Sequence, residues 1–235
     1  MAVTVQSVVD RVQVTLQDTT GVRWPVTAEL VTFVNDAQRE IALLKPDATA
    51  VNTTITLSSS SGTKQSIPTD GNRLLNVVRN KAAASDSSNG GRAIRLVKIE
   101  ELDAQHPDWH SPSVTGDAAH TNIVRHFVYD ERNPRNFYVY PGIGSTAAYI
   151  ELVYSQNPAT IALNANLGLP DIFANAVMDY VLYRCYIKDA ESAGNSNRAN
   201  THYSLFLNSI TGKGMIDTVT SPNAESKAQP LQARV

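Results

Sequence analysis

The sequence predicts an α+β fold, in which a four-helix bundle of N- and C-terminal helices carries an inserted antiparallel β-rich domain and ends in an extended tail. Apolar residues recur at helical spacing near both ends of the 235-residue chain, and they alternate or form short runs in the middle. Amphipathic helices that each cover one face are buried most economically by packing together. The predicted segments are residues 1–50 (N-terminal helices), 51–157 (β-rich insertion), 158–212 (C-terminal helices) and 213–235 (tail).

Two helices are predicted in the N-terminal segment. Thr4 suits an N-cap, and valines then follow helical spacing to about Asp18, after which Thr19-Thr20-Gly21 interrupts the helix. Thr27 suits the cap of a second helix, which carries one apolar stripe and which Pro46 ends.

Short strands separated by turn residues are predicted in the insertion. Thr53–Leu57 alternates, the Ser58–Gly62 tract reads as a flexible hairpin tip, and Lys64–Ile67 is the expected return strand. The small polar segments Lys81–Gly91 and Ser111–Asn122 are expected to be exposed loops. The remaining predicted strands are Leu74–Asn80, Ala93–Ile99, Arg125–Tyr129, Phe137–Tyr140 and Ala148–Tyr154, with a helical turn at Glu100–Gln105.

The C-terminal segment is dominated by a helix from Ile172 to Ile187 that is apolar on nearly every side. Such a helix is usually buried among other elements, so we expect the fold to be organised around it. One narrow polar stripe interrupts its surface, with members four residues apart: Asp171, Asn175 and Asp179. Arg184 falls on the apolar side, and it is expected to pair with a carboxylate within the chain or across a subunit boundary. A second helix should end near Gly212, before a tail without periodicity.

Composition narrows the classes of protein. The formal net charge of −2 and the lack of any Lys/Arg run argue against a dedicated nucleic-acid binder. The single cysteine, Cys185, excludes an intrachain disulfide and makes a cysteine-based zinc site an unlikely interpretation. The N-terminus lacks the pattern of a signal peptide, and no apolar run is long enough to span a bilayer, so synthesis in a cytosol-like compartment is expected.

Motifs for chemistry are weak, and two alternatives depend on them. His106 and His110 have the spacing of metal ligands on a helix, which would suit a metal-dependent hydrolase, but Pro107 lies between them and works against a helix. A loop anchored by Trp109 explains the same residues. Strand tyrosines (Tyr138, Tyr140, Tyr149 and Tyr154) would suit a carbohydrate- or receptor-binding module, although cross-strand packing is the commoner cause of such pairs.

Four segments together resemble the head-to-tail adaptor proteins of tailed bacteriophages, the connector family beneath the portal ring. They are FVNDAQREIALLKPDA (Phe33–Ala48), PDWH (Pro107–His110), FYVYP (Phe137–Pro141) and LPDIFANAVMDYVLYRCYIKDAE (Leu169–Glu191). These motifs are structural and not catalytic. The resemblance therefore implies a non-enzymatic virion protein that needs no cofactor and no metal.

The resemblance also implies a set of partners. Copies of the chain would form a dodecameric ring between the portal protein and the tail or nozzle protein, lining the channel through which DNA passes without sequence-specific binding and without a membrane. Heterologous contacts that close by rotation build such rings. The candidate contacts to a neighbouring subunit are Arg184, Asp171, Asn175 and Asp179, and the candidate contacts of the tail to the portal are Lys213, Met215, Ile216 and Leu231.

Overall fold

The computed structural model describes residues 2–60, 62–85, 90–189 and 193–220, which contain five α-helices and eight β-strands. The helices are α1 (Val5–Leu16), α2 (Val31–Leu44), α3 (Ile99–Gln105), α4 (Ala174–Lys188) and α5 (Ala193–Thr220). The strands are β1 (Ala50–Leu57), β2 (Lys64–Ser66), β3 (Gly71–Lys81), β4 (Gly90–Ala93), β5 (Arg95–Leu96), β6 (His126–Tyr129), β7 (Asn136–Tyr140) and β8 (Ala148–Gln156). The chain divides into a helical unit, Met1–Ala48 with Pro158–Val235, and a β unit, Thr49–Asn157.

The α+β class is confirmed, but the prediction of a four-helix bundle is wrong. In the helical unit, α1, α2 and α5 each pack against α4, and Val177, Val181 and Leu182 of α4 are completely buried. The irregular segment that precedes α4 also covers the core, with Leu167 and Leu169 buried beside the helices. This irregular segment covers part of the apolar core that a fourth helix would cover in a bundle. The other helices are therefore arranged around α4 and do not form a four-helix bundle.

Side-chain amides help to hold that irregular segment in place. Asn35 of α2 donates to the carbonyl of Ile161 at 3.1 Å and accepts from its N–H at 2.9 Å. The side-chain carbonyl oxygen of Gln38 accepts from the N–H of Gly168 at 2.7 Å. The backbone N–H of Val5 donates to the backbone carbonyl of Ala165. These bonds give hydrogen-bond partners to N–H and carbonyl groups of the irregular segment, which belongs to no helix or sheet. Buried backbone groups need such partners.

The two N-terminal helices begin differently from one another. Thr4 caps α1 as predicted, because its hydroxyl oxygen accepts from the N–H of Ser7. Thr27 is not a cap, and that prediction is wrong. The chain enters α2 through a wider helical turn at Val26–Leu30, in which the carbonyl of Pro25 accepts from the N–H groups of Glu29 and Leu30 and so removes the need for a side-chain cap.

The turn after α1 is organised by one carboxylate. Asp18 accepts hydrogen bonds from the N–H groups of Val22, Arg23 and Trp24 at 3.1, 2.9 and 2.9 Å. These bonds, that of Trp24 first, lower the pKa of the Asp18 carboxyl below its usual value of 3.8. The neighbouring Trp24 side chain is buried in the core of the helical unit.

We expect Asp18→Asn to destabilise the protein at neutral pH and to lose that effect in acid. A carboxyl whose pKa is lower in the folded state stabilises the fold above its unfolded pKa, and this stabilisation disappears as the pH falls through the folded value. The free energy of unfolding, measured in urea between pH 7 and pH 2.5, should therefore differ between wild type and variant only above about pH 4. Asp47→Asn, a matching change at an exposed carboxylate, is the control. A pH-independent difference for Asp18→Asn would contradict the assignment.

The β unit contains two four-stranded sheets, with strand orders β1-β8-β3-β4 and β2-β7-β6-β5. The predicted hairpin of Thr53–Leu57 with Lys64–Ile67 is wrong, because β1 pairs with β8 along its whole length and β2 pairs with β7. Between β1 and β2 there is no strand pairing, and the side chain of Gln65 on β2 bonds the turn instead. It accepts from the N–H of Ser58 and donates to the carbonyls of Ser58 and Gly62. A local turn tract therefore joins two sheets.

Purely antiparallel pairing is also a wrong prediction, because β5 and β6 are parallel. The single strand predicted over Ala93–Ile99 is divided into β4 and β5, and α3 already begins at Ile99. The break falls at Ile94, whose side chain is buried and whose N–H donates to the carbonyl of Val78. The core of this unit includes completely buried residues from both sheets, namely Phe137, Val139, Ile150 and Leu152.

The predicted extended tail is wrong for residues 213–220, which continue α5 to Thr220. Gly212 and Gly214 each cost a helix roughly 1 kcal/mol relative to alanine. Two ion pairs of Asp217 offset that cost. One joins it to Lys213 in the preceding turn of α5, and the other joins it to Lys45 at the end of α2. Residues 221–235 of the predicted tail, and residues 86–89 of the predicted loop Lys81–Gly91, lie outside the described residues.

Candidate interaction surfaces

The polar stripe of α4 has partners within the chain. Asp171 accepts from the backbone N–H of Val3 at 2.9 Å, and Asn175 accepts from the guanidinium of Arg11 at 2.7 Å. One turn further on, Asp179 bonds the ring of His202 on α5 at 3.0 Å. The stripe thus joins α4 to α1 and to α5.

Arg184 lies on a half-buried surface between α4 and α2. Its guanidinium is 3.4 Å from the carboxylate of Asp36, bonds the hydroxyl of Tyr180 and lies over the ring of Phe33 at 4.9 Å. The expected carboxylate partner is therefore present in the same chain. An exposed or half-exposed pair of this kind stabilises a fold by about 0.2–1 kcal/mol.

The end of α5 presents apolar side chains to solvent. Met215 is 72% exposed and Ile216 is 63% exposed, whereas Ile210, fewer than two turns earlier, is buried. Lys213 bonds Asp217 at 3.1 Å and lies 5.8 Å from the ring of Phe173. Large apolar residues side by side on an exposed helix end are typical of an interaction surface. Leu231, the remaining candidate, lies outside the described residues.

His106 and His110, at the two ends of the segment that contains Trp109, have different neighbours. His106 stacks with Tyr140 at 5.4 Å, whereas His110 stacks with Trp109 at 3.7 Å and bonds the hydroxyl of Thr63 through Nδ1. Burial lowers the pKa of His110. Trp109 is completely buried and donates its indole N–H to Asp103. Within the described ranges, no three His, Cys, Asp or Glu side chains are grouped as a metal site would require.

Three of the four strand tyrosines, Tyr138, Tyr140 and Tyr154, take part in packing. Tyr138 and Tyr140 lie edge-on to Trp109 at 6.3 and 6.1 Å, and Tyr140 is buried. Tyr154 is also buried, and its hydroxyl donates to Asp70. Aromatic platforms for sugars or bases need an exposed face, which these two buried rings do not offer.

The β unit contains a cavity of 360 Å³ that the sequence analysis did not predict, and Arg92 and Arg125 help to line it. These arginines are far apart in the sequence and belong to no motif. The only sequence signal is the recurrence of basic residues at three-residue spacing in the segment Arg92–Lys98. Such spacing is common on solvated surfaces, so it identifies no site by itself.

Comparisons with known proteins give one family. A search of curated proteins yields no match. None of the described helices is both long and apolar enough to cross a membrane. The family model of the SU10 adaptor protein matches residues 3–226, which include both the helical and the β unit. The chain therefore belongs to the SU10 adaptor protein family, and this membership indicates a structural adaptor of a bacteriophage.

Proposed function

We propose that this protein is a head-to-tail adaptor, which assembles as a ring between the portal protein and the tail or nozzle protein and lines the DNA channel. The family match over nearly the whole chain carries the proposal. The ring is proposed to be dodecameric, to have no catalytic activity and to be part of the virion after synthesis in the host cytoplasm.

The exposed end of α5 is the proposed contact to the portal. Met215 and Ile216 place two adjacent apolar side chains in solvent, five and six residues after the buried Ile210. Burying such side chains against a partner yields about 25 cal/mol per Å² of apolar area. Phe206 and Ile210 anchor α5 in the core of the helical unit, and the ion pairs of Asp217 with Lys213 and Lys45 hold the turn that carries Met215 and Ile216.

Contacts between neighbouring subunits are proposed to involve the partly exposed side chains of Arg184 and Asp36. The stripe residues Asp171, Asn175 and Asp179 already have partners in the chain, so their proposed role in the ring is to hold α1 and α5 in place beside α4. A carbohydrate- or receptor-binding module remains a second candidate, but the burial of Tyr140 and Tyr154 disfavours it.

Native mass spectrometry of the protein, alone and mixed with a portal ring, tests this proposal. We expect a ring on the portal, and we expect Met215→Glu/Ile216→Glu to weaken docking at least tenfold, because each charge would have to be buried in an apolar contact. Leu205→Glu, at another exposed apolar position of α5, is the matched control and should dock normally.

Two results would contradict the proposal. If wild type stays monomeric beside an intact portal ring, the adaptor role fails. If the double variant docks as well as wild type, the contact does not lie at Met215 and Ile216. Circular dichroism of all variants, which should match wild type, separates lost docking from lost folding.

A further inference from the structure

Residues 98–120 of the β unit pack on the sheet β2-β7-β6-β5, and we call this segment the flap. It contains α3 and the loop that follows α3. Every described backbone–backbone hydrogen bond of the flap joins two of its own residues. The backbone bonds to the rest of the unit lie just outside its two ends, where the N–H of Val97 donates to Phe127 and the N–H of Thr121 donates to Gly142. Side chains therefore hold the flap on the sheet.

A small apolar core lies between the flap and the sheet. Leu102, Trp109 and Ala118 of the flap are buried there with Val128 and Tyr140 of the sheet. The core that both sheets build together is separate and larger, and it includes no residue of the flap. Opening the flap would expose only the smaller core, so it should require less free energy than unfolding the unit.

Histidine rings lie where the flap meets the sheet. The described hydrogen bond from a flap side chain to the rest of the unit is that of His110, whose Nδ1 is 2.8 Å from the hydroxyl oxygen of Thr63. His106 of the flap and His126 of β6 both stack with Tyr140, at 5.4 and 6.2 Å. The state of these imidazoles therefore affects how firmly the flap is held.

His126 lies where a positive charge is unfavourable. Its Nδ1 is buried and has no hydrogen-bond partner among the described residues. Both ring nitrogens of a protonated histidine are donors, so protonation would leave a buried donor without an acceptor. Burial lowers the pKa of His126 and the nearby arginine charges lower it further, whereas a backbone hydrogen bond with Arg95 acts in the opposite direction. The charged and titratable groups around this ring are Arg92, Arg95, Arg125, Glu101, Asp117, His106 and Tyr140.

His110 is also a poor site for a charge while the flap is closed. Burial lowers the pKa of His110, the carboxylate of Asp103 raises it, and the charge of His120 lowers it, with a net decrease. His110 and His120 line one cavity of 550 Å³, and like charges this close disfavour each other. The rings of Trp109 and Tyr138 cover the imidazole at 3.7 and 5.5 Å.

We propose that the flap is an acid-sensitive clasp, which opens when His110 and His126 become protonated and then exposes Trp109, Tyr138 and Tyr140. A histidine whose pKa is lower in the closed flap stabilises the closed form above about pH 6.5, the value of a free histidine. This stabilisation is lost as the pH falls from there to the lower pKa of the closed form, because the open form takes up protons first. Histidine clusters act as pH sensors in this way. The inference does not depend on the adaptor role.

Hydrogen–deuterium exchange of the full chain, followed by mass spectrometry at pH 7.5 and pH 5 and corrected for intrinsic exchange rates, tests the inference. We expect the protection of flap peptides to fall about fivefold or more at pH 5, whereas peptides of β8 keep their protection. In the double variant His110→Asn/His126→Gln, whose amides can form hydrogen bonds but take up no proton, the loss should be less than about twofold. His202→Gln, in the helical unit, is the control and should keep the wild-type response.

The inference is overturned if the protection of the flap does not depend on pH, or if the double variant folds and keeps the full response. An equal loss in β8 would also overturn it, because the whole unit would then unfold together. If circular dichroism shows that the double variant does not fold, the single variants decide, since each should remove about half of the logarithmic response. A full response in both single variants would overturn the inference. Portal docking is a separate measurement, so failure of either proposal is visible separately.

Discussion

Replacing Phe206 by alanine is expected to destabilise the helical unit by about 3–5 kcal/mol. Phe206 is completely buried between α5 and α4, and its ring lies edge-on to that of Tyr180 at 5.2 Å. The change removes this contact and leaves a cavity in the surface that anchors α5. Because α5 carries the proposed portal contact, the variant should also dock poorly at temperatures where wild type docks well.

The two tryptophans allow the unfolding of each unit to be measured separately. Trp24 is buried in the helical unit and Trp109 in the β unit. In protein labelled with 5-fluorotryptophan, the two ¹⁹F signals should report separately on urea unfolding, and Phe206→Ala should lower the midpoint of the Trp24 signal. Leu205→Ala, at the exposed neighbouring position, should change stability by less than about 0.5 kcal/mol. An unchanged Trp24 midpoint in Phe206→Ala would show that α5 does not stabilise this core.

Local sequence patterns predicted helices well where the pattern itself determines the structure. The run from Ile172 to Ile187 has no Gly or Pro and is apolar on most sides, and α4 is indeed the buried centre of its unit. The Thr4 cap was also predicted correctly. Its hydrogen bond joins residues only three positions apart, so the local sequence contains both partners. In both cases the interactions that decide the structure lie within a few residues of one another.

Distant contacts explain where those patterns failed. Ser58–Gly62 has the composition of a hairpin tip, but the pairing of β1 is decided by β8, about a hundred residues later. Gly212 suggested the end of a helix, but Lys45, directly after α2, pairs with Asp217 across 172 residues of sequence. The cavity that Arg92 and Arg125 help to line was missed for the same reason, because the side chain of Asn80 joins the distant segments by bonding the carbonyls of Arg92 and Val124.

Asn80 is therefore expected to be the most sensitive polar residue of the β unit. Its side chain makes three hydrogen bonds, to the carbonyls of Arg92 and Val124 and from the N–H of Val124. Asn80→Ala would leave these backbone groups buried without a partner, at a cost of about 1–3 kcal/mol each when unsatisfied. We expect a total loss of about 3–5 kcal/mol, visible as a lower urea midpoint of the Trp109 ¹⁹F signal.

Asn80→Asp tests whether the hydrogen bonds or the packing of Asn80 matter, because the two side chains have the same shape. The carboxylate can still accept from the N–H of Val124, but it would place an oxygen less than 3 Å from two carbonyl oxygens. It should therefore be at least as destabilising as Asn80→Ala at pH 7. Asn52→Ala, at an exposed asparagine that makes one bond to Glu151, should cost less than about 1 kcal/mol. If Asn80→Asp is as stable as wild type, the amide donors do not hold β4 beside Val124.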